Sequence, residues 1–501
     1  AHGAENEGRR AFSLNLESDG LLRTARKVAA EDPSKNVFIR AARQFGGNST
    51  ATAAELMNVS RETTDVLLAD IPADKSGTPG EASTPLYHLT ARAIAAGKRY
   101  GAACTEFTKY VKDLLYFDTN KRNKNYERVE LWINEDVRST EVFRNLKVLG
   151  KELQDAIDKL ISSSSEVVAY LEGMDGAAAI QREIAAMTYD LRDQLNACEV
   201  ILSDDPSPAY AYSAELIRKR DRLNDKLSAL MINIGQKMNE TLFASTHSVV
   251  FTSATLTVDG SLDSFANAMG LNETEESQTK FLQLDSSYDF DENMTIYLPT
   301  DMPEPNDPKY LPKLEELLIS VHRAEGGATL SLFTNRREME TCYEVVRDAL
   351  KEDNLRVVCQ KWGVSVKGLR DEFLTNEHLS LFALKSFWEG FDAPGATLRA
   401  VVIPKLPFKK PSDPLSCERS QLDPHAWSHY VLPEAVLETK QAAGRLIRSA
   451  DDTGSLILAD HRLISKGYGK KFLRSMPSKN IKKMRIADIA KELAEKRENA
   501  R

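Results

Sequence analysis

Ser386-Phe-Trp-Glu-Gly-Phe-Asp-Ala-Pro-Gly395 follows an apolar run that begins at Leu379. Further along lies Gln441-Ala-Ala-Gly-Arg445-Leu-Ile-Arg448. An apolar strand opening into a turn that carries Gly and Asp sets backbone N–H groups and a carboxylate at a sheet edge, where phosphates and sugars are commonly held. Arg445 and Arg448 are three residues apart, so a helix continuing to Arg448 places both guanidinium groups on one face. Two permanently charged, fork-shaped donors suit a polyphosphate whose charge builds during phosphoryl transfer. Taken alone, the pair fits an ordinary solvated helix face equally well.

Outward from these stretches, candidate strands alternate with helices, as a parallel α/β sheet requires. The strands are read at Ala328 to Thr334, Leu355 to Gln360, Leu379 to Ser386, Leu398 to Pro404 and Gly454 to Asp460. The helices are read at Lys309 to Ala324, Glu338 to Glu352 and Pro433 to Arg448, with a charged, fraying one at Ile486 to Arg497. Upstream the texture is helical, at Leu21 to Ala30, Leu86 to Leu115, Val148 to Leu171, Ala177 to Leu202 and Ala214 to Leu242. A short helix pair at Ala51 to Leu68, a Pro/Gly/Ser loop at Ile71 to Pro85 and a hairpin around Asp118 to Asn125 interrupt it. Ser248-Val-Val-Phe-Thr252 reads as a buried strand running into Ser253-Ala-Thr-Leu256.

A chain of 501 residues exceeds one typical core, and 42% hydrophobic with 28% charged residues is ordinary globular composition. No run reaches membrane-span length and no signal peptide opens the sequence, which reads as cytoplasmic, with no membrane partner. The five cysteines are far apart, with no metal-ligand spacing. A net charge of −8 argues against a globally basic nucleic-acid coat and leaves room for a local basic groove. The phosphate-cradling pattern G-x-x-x-x-G-K-[ST] is absent from the sequence.

The words Ser386 to Gly395, Lys405-Leu-Pro-Phe408 with Pro411-Ser-Asp-Pro414, Leu432-Pro433, Lys440 to Ser449 and Asp460-His-Arg462 occur in one fixed order. That order resembles the second motor domain of DinG-type helicases, the bacterial relatives of the XPD helicases in superfamily 2. The resemblance implies an ATP-dependent DNA helicase, 5′ to 3′, with ATP and Mg²⁺ as cofactors and single-stranded and forked DNA as partners. It implies an α/β fold: a RecA-like second motor domain at 271–501, preceded by a mostly helical, arch-like domain at 21–243. Residues 1–20 would then be a remnant of a first motor domain, and residues 244–270 a return to it.

By the same resemblance Ala1-His2 ends a D-E-A-H box, so His2, Ser253, Thr255, Glu389, Gly390, Asp392 and Gln441 handle nucleotide and coupling. Arg445 and Arg448 reach the γ-phosphate, and Thr334, Asn335, Arg336, Gln360 and Lys361 contact DNA. The phosphate loop and any iron–sulfur cluster then belong to a missing N-terminal motor half, and this chain alone is expected to be inactive. A non-catalytic nucleic-acid- or protein-binding module on a helicase-like frame is the alternative, and the absent phosphate loop favours it. A nuclease of the same kinship is a third, without a carboxylate cluster to carry it. Trp388 and Phe391 read as core aromatics, and the basic run from Lys470 to Arg485 as a solvated surface.

Overall fold

The computed structural model describes residues 2–30, 32, 34–46, 85–118, 128–219, 222–273, 278–361, 363–387, 395–449 and 451–499. The chain divides into two compact units. One comprises Glu7–Asn233 with Pro411–Leu422, and the other Ala1–Asn6, Ile234–Lys410 and Asp423–Arg501. The short helix pair, the Pro/Gly/Ser loop and the tip of the hairpin expected upstream lie outside the described residues.

The first unit is built on helices Ser18–Val28, Val37–Phe45, Pro85–Asp118, Glu141–Tyr170 and Ala178–Ile201. In Glu141–Tyr170, Phe143, Leu146, Gly150, Leu153, Ile157, Leu160 and Val167 are buried, the three-and-four spacing of a single apolar stripe. Thr140 caps this helix by accepting the Phe143 N–H at 3.2 Å, which satisfies a donor that the first turn leaves open. The stripe packs with Phe107, Leu191 and Tyr100 in one core.

The expected helix from Ala214 to Leu242 is a β-hairpin as far as Met231, and among the described residues only the short turns Gly235–Met238 and Asn239–Phe243 at its end are helical. Strands β1 (Leu14–Glu17), β2 (Arg128–Trp132), β3 (Tyr210–Lys219) and β4 (Arg222–Met231) form an antiparallel sheet in the order β1-β4-β3-β2. Ala211 through Leu216 are all buried, so both faces of β3 are covered and the alternation that marks a half-exposed strand is erased. What remained legible was a drift of leucines that fits a helical period equally well. Residues 14–17 therefore pair inside this unit, through β4.

Helix Pro414–Leu422 also belongs to this unit, although the residues on either side of Pro411–Leu422 fold with the other. The Trp132 indole N–H donates to Glu418 Oε2 at 2.8 Å, and buried Arg419 donates to the Ile232 carbonyl at 3.2 Å.

The second unit is a seven-stranded sheet ordered β11-β5-β10-β9-β6-β8-β7, in which every neighbouring pair is parallel. Its strands are β5 (Met294–Pro299), β6 (Thr329–Leu332), β7 (Arg356–Cys359), β8 (Leu379–Ala383), β9 (Ala400–Ile403), β10 (Gly454–Leu458) and β11 (Ile481–Met484). Five correspond to expected strands, while β5 and β11 extend the sheet at one side. Ile296, Leu330, Leu381, Val401 and Leu456 face a core with helix Leu432–Ala443. Tyr297, Phe382, Val402 and Ile457 face another, with helices Tyr310–Glu325, Arg336–Lys351 and Ile486–Asn499. The last of these buries Ile486, Ile489 and Leu493 and is docked rather than frayed.

Ser248 to Thr252 is not a strand. It is irregular, with Val250 84% exposed, because no described strand accepts it as a neighbour. No described helix is long and apolar enough to cross a membrane.

Candidate functional site

The carboxyl ends of parallel strands form the rim where open α/β sheets hold ligands, because the strand-end loops present side chains and backbone N–H groups there together. Thr334, Gln360, Ser386, Lys405 and Asp460 follow β6, β7, β8, β9 and β10 by one to three residues, so this rim gathers them from five strands.

The structure joins three of these loops. Arg336 Nη1 donates to the Gln360 carbonyl at 2.8 Å. Buried Gln360 donates from Nε2 to Ser386 Oγ at 2.8 Å and accepts the Leu384 N–H at 2.9 Å. Both ends of its amide are thus held within the protein. Asn335 caps helix Arg336–Lys351, accepting the N–H groups of Arg337 and Glu338 at 2.9 and 3.4 Å. Lys361 Nζ lies 2.5 Å from Glu344 and 4.4 Å from the centre of the Tyr343 ring. The bond to Glu344 raises the Lys361 pKa. Thr334 and Asn335 are exposed, whereas Arg336, Gln360 and Lys361 hold the loops in place.

Across β9 and β10, buried Asp460 accepts the Leu406 N–H at 2.9 Å and the Arg462 Nε–H at 2.8 Å. The guanidinium lies 5.3 Å from the centre of the Phe408 ring, so one carboxylate fixes the loops after both strands. Lys405 pairs with Glu338, and Tyr310 Oη donates to the Pro404 carbonyl at 2.8 Å.

The two arginines do not share a helix face. Helix Leu432–Ala443 ends before them, with Gly444 as its cap and tight turns that bond Arg445 N–H to Ala442 and Leu446 N–H to Ala443. Buried Leu446 and Ile447 turn inward, drawing Arg445 to 5% exposure and leaving Arg448 exposed. Asp452 accepts the N–H groups of Arg448 and Ser449 at 2.7 and 2.8 Å, and Tyr288 Oη donates to the Arg448 carbonyl at 2.9 Å. Half-buried Gln441 has a buried Oε1 with no partner among the described residues.

Ser253 is exposed and Thr255 half-buried, with their hydroxyls 3.2 Å apart and the Thr255 N–H on Ser253 Oγ at 3.1 Å. Two residues on, Thr257 is gripped by Lys440, whose Nζ donates to its carbonyl at 2.9 Å. Lys440 was not anticipated, because a lysine in a helix defaults to solvent. Its burial, then Lys479 nearby, lower its pKa. Glu389, Gly390 and Asp392 lie outside the described residues, and His2 opens the first described helix, His2–Phe12.

Chemically, the rim offers hydroxyls, amides and cations, a donor set suited to anionic oxygens. Among the described residues no group of three or more His, Cys, Asp or Glu could hold a metal ion.

Residues 318–479 match the family described as the helicase C-terminal domain, which spans β6 through β10 and their rim. The match falls within the second unit apart from Pro411–Leu422, which folds with the first. The ATP-dependent DNA helicase YoaA of Escherichia coli is 33% identical over 283 residues, covering 55% of this chain and 42% of the relative. The 3′-5′ exonuclease DinG of Bacillus subtilis is 29% identical over 272 residues, covering 53% and 29%. Among solved structures, S. tokodaii Xpd4 aligns with a TM-score of 0.49 at 13% identity, covering 96% of this chain and 73% of that one. Residues 318–479 thus match a helicase C-terminal domain, and about half of the chain is similar to the proteins named YoaA and DinG. The chain spans less than half the length of these two curated relatives.

Proposed function

We propose that this chain is part of an ATP-dependent DNA helicase, supplying the second motor domain and a helical, arch-like domain to an enzyme that tracks single-stranded DNA and opens forked duplexes 5′ to 3′. The observation that carries the reading is the assembly of helicase-motif residues from five strand ends on one rim of a sheet whose residues match the helicase C-terminal domain. In this reading the helical unit, Glu7–Asn233 with Pro411–Leu422, corresponds to the arch.

Arg445 and Arg448 contribute to the γ-phosphate site from different depths. Exposed Arg448 reaches the phosphate, and buried Arg445 adds a desolvated positive charge beneath it. Gln441, whose buried oxygen has no partner among the described residues, together with Glu389, Gly390 and Asp392, senses nucleotide. Ser253 and Thr255 relay that state through the segment that Lys440 anchors. Thr334 and Asn335 meet the DNA backbone, while Arg336, Gln360 and Lys361 set their position. ATP with Mg²⁺ is the fuel, its phosphate loop and metal ligands lying outside these 501 residues, and any iron–sulfur cluster lies there too. Movement follows from different DNA affinities in the nucleotide-bound and nucleotide-free states.

The test is ATP hydrolysis with and without single-stranded DNA. The 501-residue chain should bind the strand and turn over no ATP. The protein extended to include a phosphate loop should show DNA-stimulated turnover that Arg448→Ala abolishes. Turnover by the 501 residues alone, or undiminished turnover by the variant, refutes the reading.

A further inference from the structure

We propose that Phe408, Trp427 and Tyr468 form a stacking platform for an unpaired nucleobase on the rim beyond β9 and β10. The inference rests on the DNA-motor reading above and names a subsite within it. Phe408 leaves β9 by five residues, and Tyr468 follows β10 through the short helix Arg462–Ser465. Trp427 opens a π-helical turn, Trp427–Val431, a rare conformation that concentrates at functional positions. The three rings meet pairwise. Trp427 and Tyr468 have centroids 4.9 Å apart, Phe408 and Trp427 5.8 Å, and Phe408 and Tyr468 5.7 Å.

Trp427 is nevertheless 43% exposed. An indole that packs on two aromatic neighbours and still presents so much surface has a face to offer. The cluster is also preset. Asp460, 1% exposed, holds the Leu406 N–H two residues before Phe408, and through Arg462 it fixes a guanidinium over the Phe408 ring. Both strand-end loops are therefore locked before any ligand arrives, which lowers the ordering cost of binding.

The surroundings select a nucleic acid over an apolar side chain. Lys409, paired with Glu434, and exposed Lys410 follow Phe408 directly, Arg462, held by Asp460, lies over the ring, and exposed His425 and His429, the latter on Asp423, stand two residues to either side of Trp427. An apolar anchor would lose by exposure to these polar and charged groups. A base gains a π-face while its phosphate gains the exposed Lys410, and because every base has such a face the contact is indifferent to sequence, as a translocating motor requires.

The test compares two oligonucleotides of about fifteen units, one of thymidines and one of abasic sugar-phosphates, titrated into the 501-residue chain with fluorescence anisotropy as readout. The chain should prefer the thymidine strand. Trp427→Ala should weaken that binding roughly 5- to 100-fold without changing the abasic affinity, and Trp427→Phe should retain most of it. Equal binding of the two strands, or loss of thymidine and abasic binding together in Trp427→Ala, overturns the platform and leaves the motor reading standing. Failure of the chain to bind either strand overturns both.

Discussion

The Lys440 ammonium donates to the Thr257 carbonyl at 2.9 Å and comes within 3.3 Å of its hydroxyl. A mostly buried cation whose described bonds go to a backbone oxygen and a hydroxyl acts as a strut, tying the Ser253-to-Thr257 segment to the helix that carries Gln441. Lys440→Met keeps the side-chain length and removes the donor. Because the substitution also relieves a desolvated charge, global stability should move by no more than about 1 kcal/mol. Amide exchange over residues 250–258 should accelerate at least several-fold in deuterium-exchange mass spectrometry. Unchanged exchange there would show that Lys440 does not hold the segment.

Gln360 is predicted to matter for stability more than for DNA contact. Its amide satisfies the Leu384 N–H and Ser386 Oγ across the ends of β7 and β8. Gln360→Ala leaves these groups unpaired and should cost about 1 to 3 kcal/mol in urea unfolding. A strand-contacting role would instead lower DNA affinity with stability intact.

The burial difference between the two arginines separates their variants. Arg448→Ala, at an exposed position, should leave unfolding within about 0.5 kcal/mol of the parent. It should lower ATP turnover by about 10³-fold or more in protein that includes a phosphate loop. Arg445→Ala removes a 5%-exposed side chain and should also lower the melting temperature. Equal melting temperatures for the two variants would contradict the buried placement.

Glu325 and His322 make opposing contributions to pH dependence from one helix. Burial, moderated by Arg399, raises the Glu325 pKa from 4.5 to about 7, so its folded form holds a proton that the unfolded chain has released. Its stabilisation is complete below pH 4.5 and is lost as pH rises to about 7. Burial lowers the His322 pKa from 6.5 to about 3, so its cost grows as pH falls below 6.5. Between pH 4.5 and 6.5 the two slopes largely cancel. Glu325→Gln should therefore unmask a stability that climbs with pH by up to about 1.4 kcal/mol per unit, read from melting curves across that window. Identical pH profiles for variant and parent would refute the assignment.

The parallel sheet was legible because parallel strands covered on both faces read as short continuous apolar runs, such as Leu379–Ala383 and Ala400–Ile403. The same covering concealed β3, whose residues carry few β-branched side chains. Ser248 to Thr252 has strand composition and no described neighbour to pair with, and pairing is a property of two segments. The site was legible as words in order. What each side chain touches was not, since Arg336 meets Gln360 and Lys440 meets Thr257 through contacts the fold alone creates. The helix that the sequence places from Pro433 to Arg448 ends at Ala443, because Leu446 and Ile447 turn into the core.

Helix Pro414–Leu422 has a practical consequence for anyone dissecting this protein. A recombinant fragment cut at Asn233 would lack the segment that receives the Trp132 indole N–H and the arginine that closes on the Ile232 carbonyl. The complementary fragment would carry a stray helix with its docking face uncovered. Neither half is self-sufficient in primary structure, so soluble pieces call for grafting residues 411–422 back by a linker, or for co-expression.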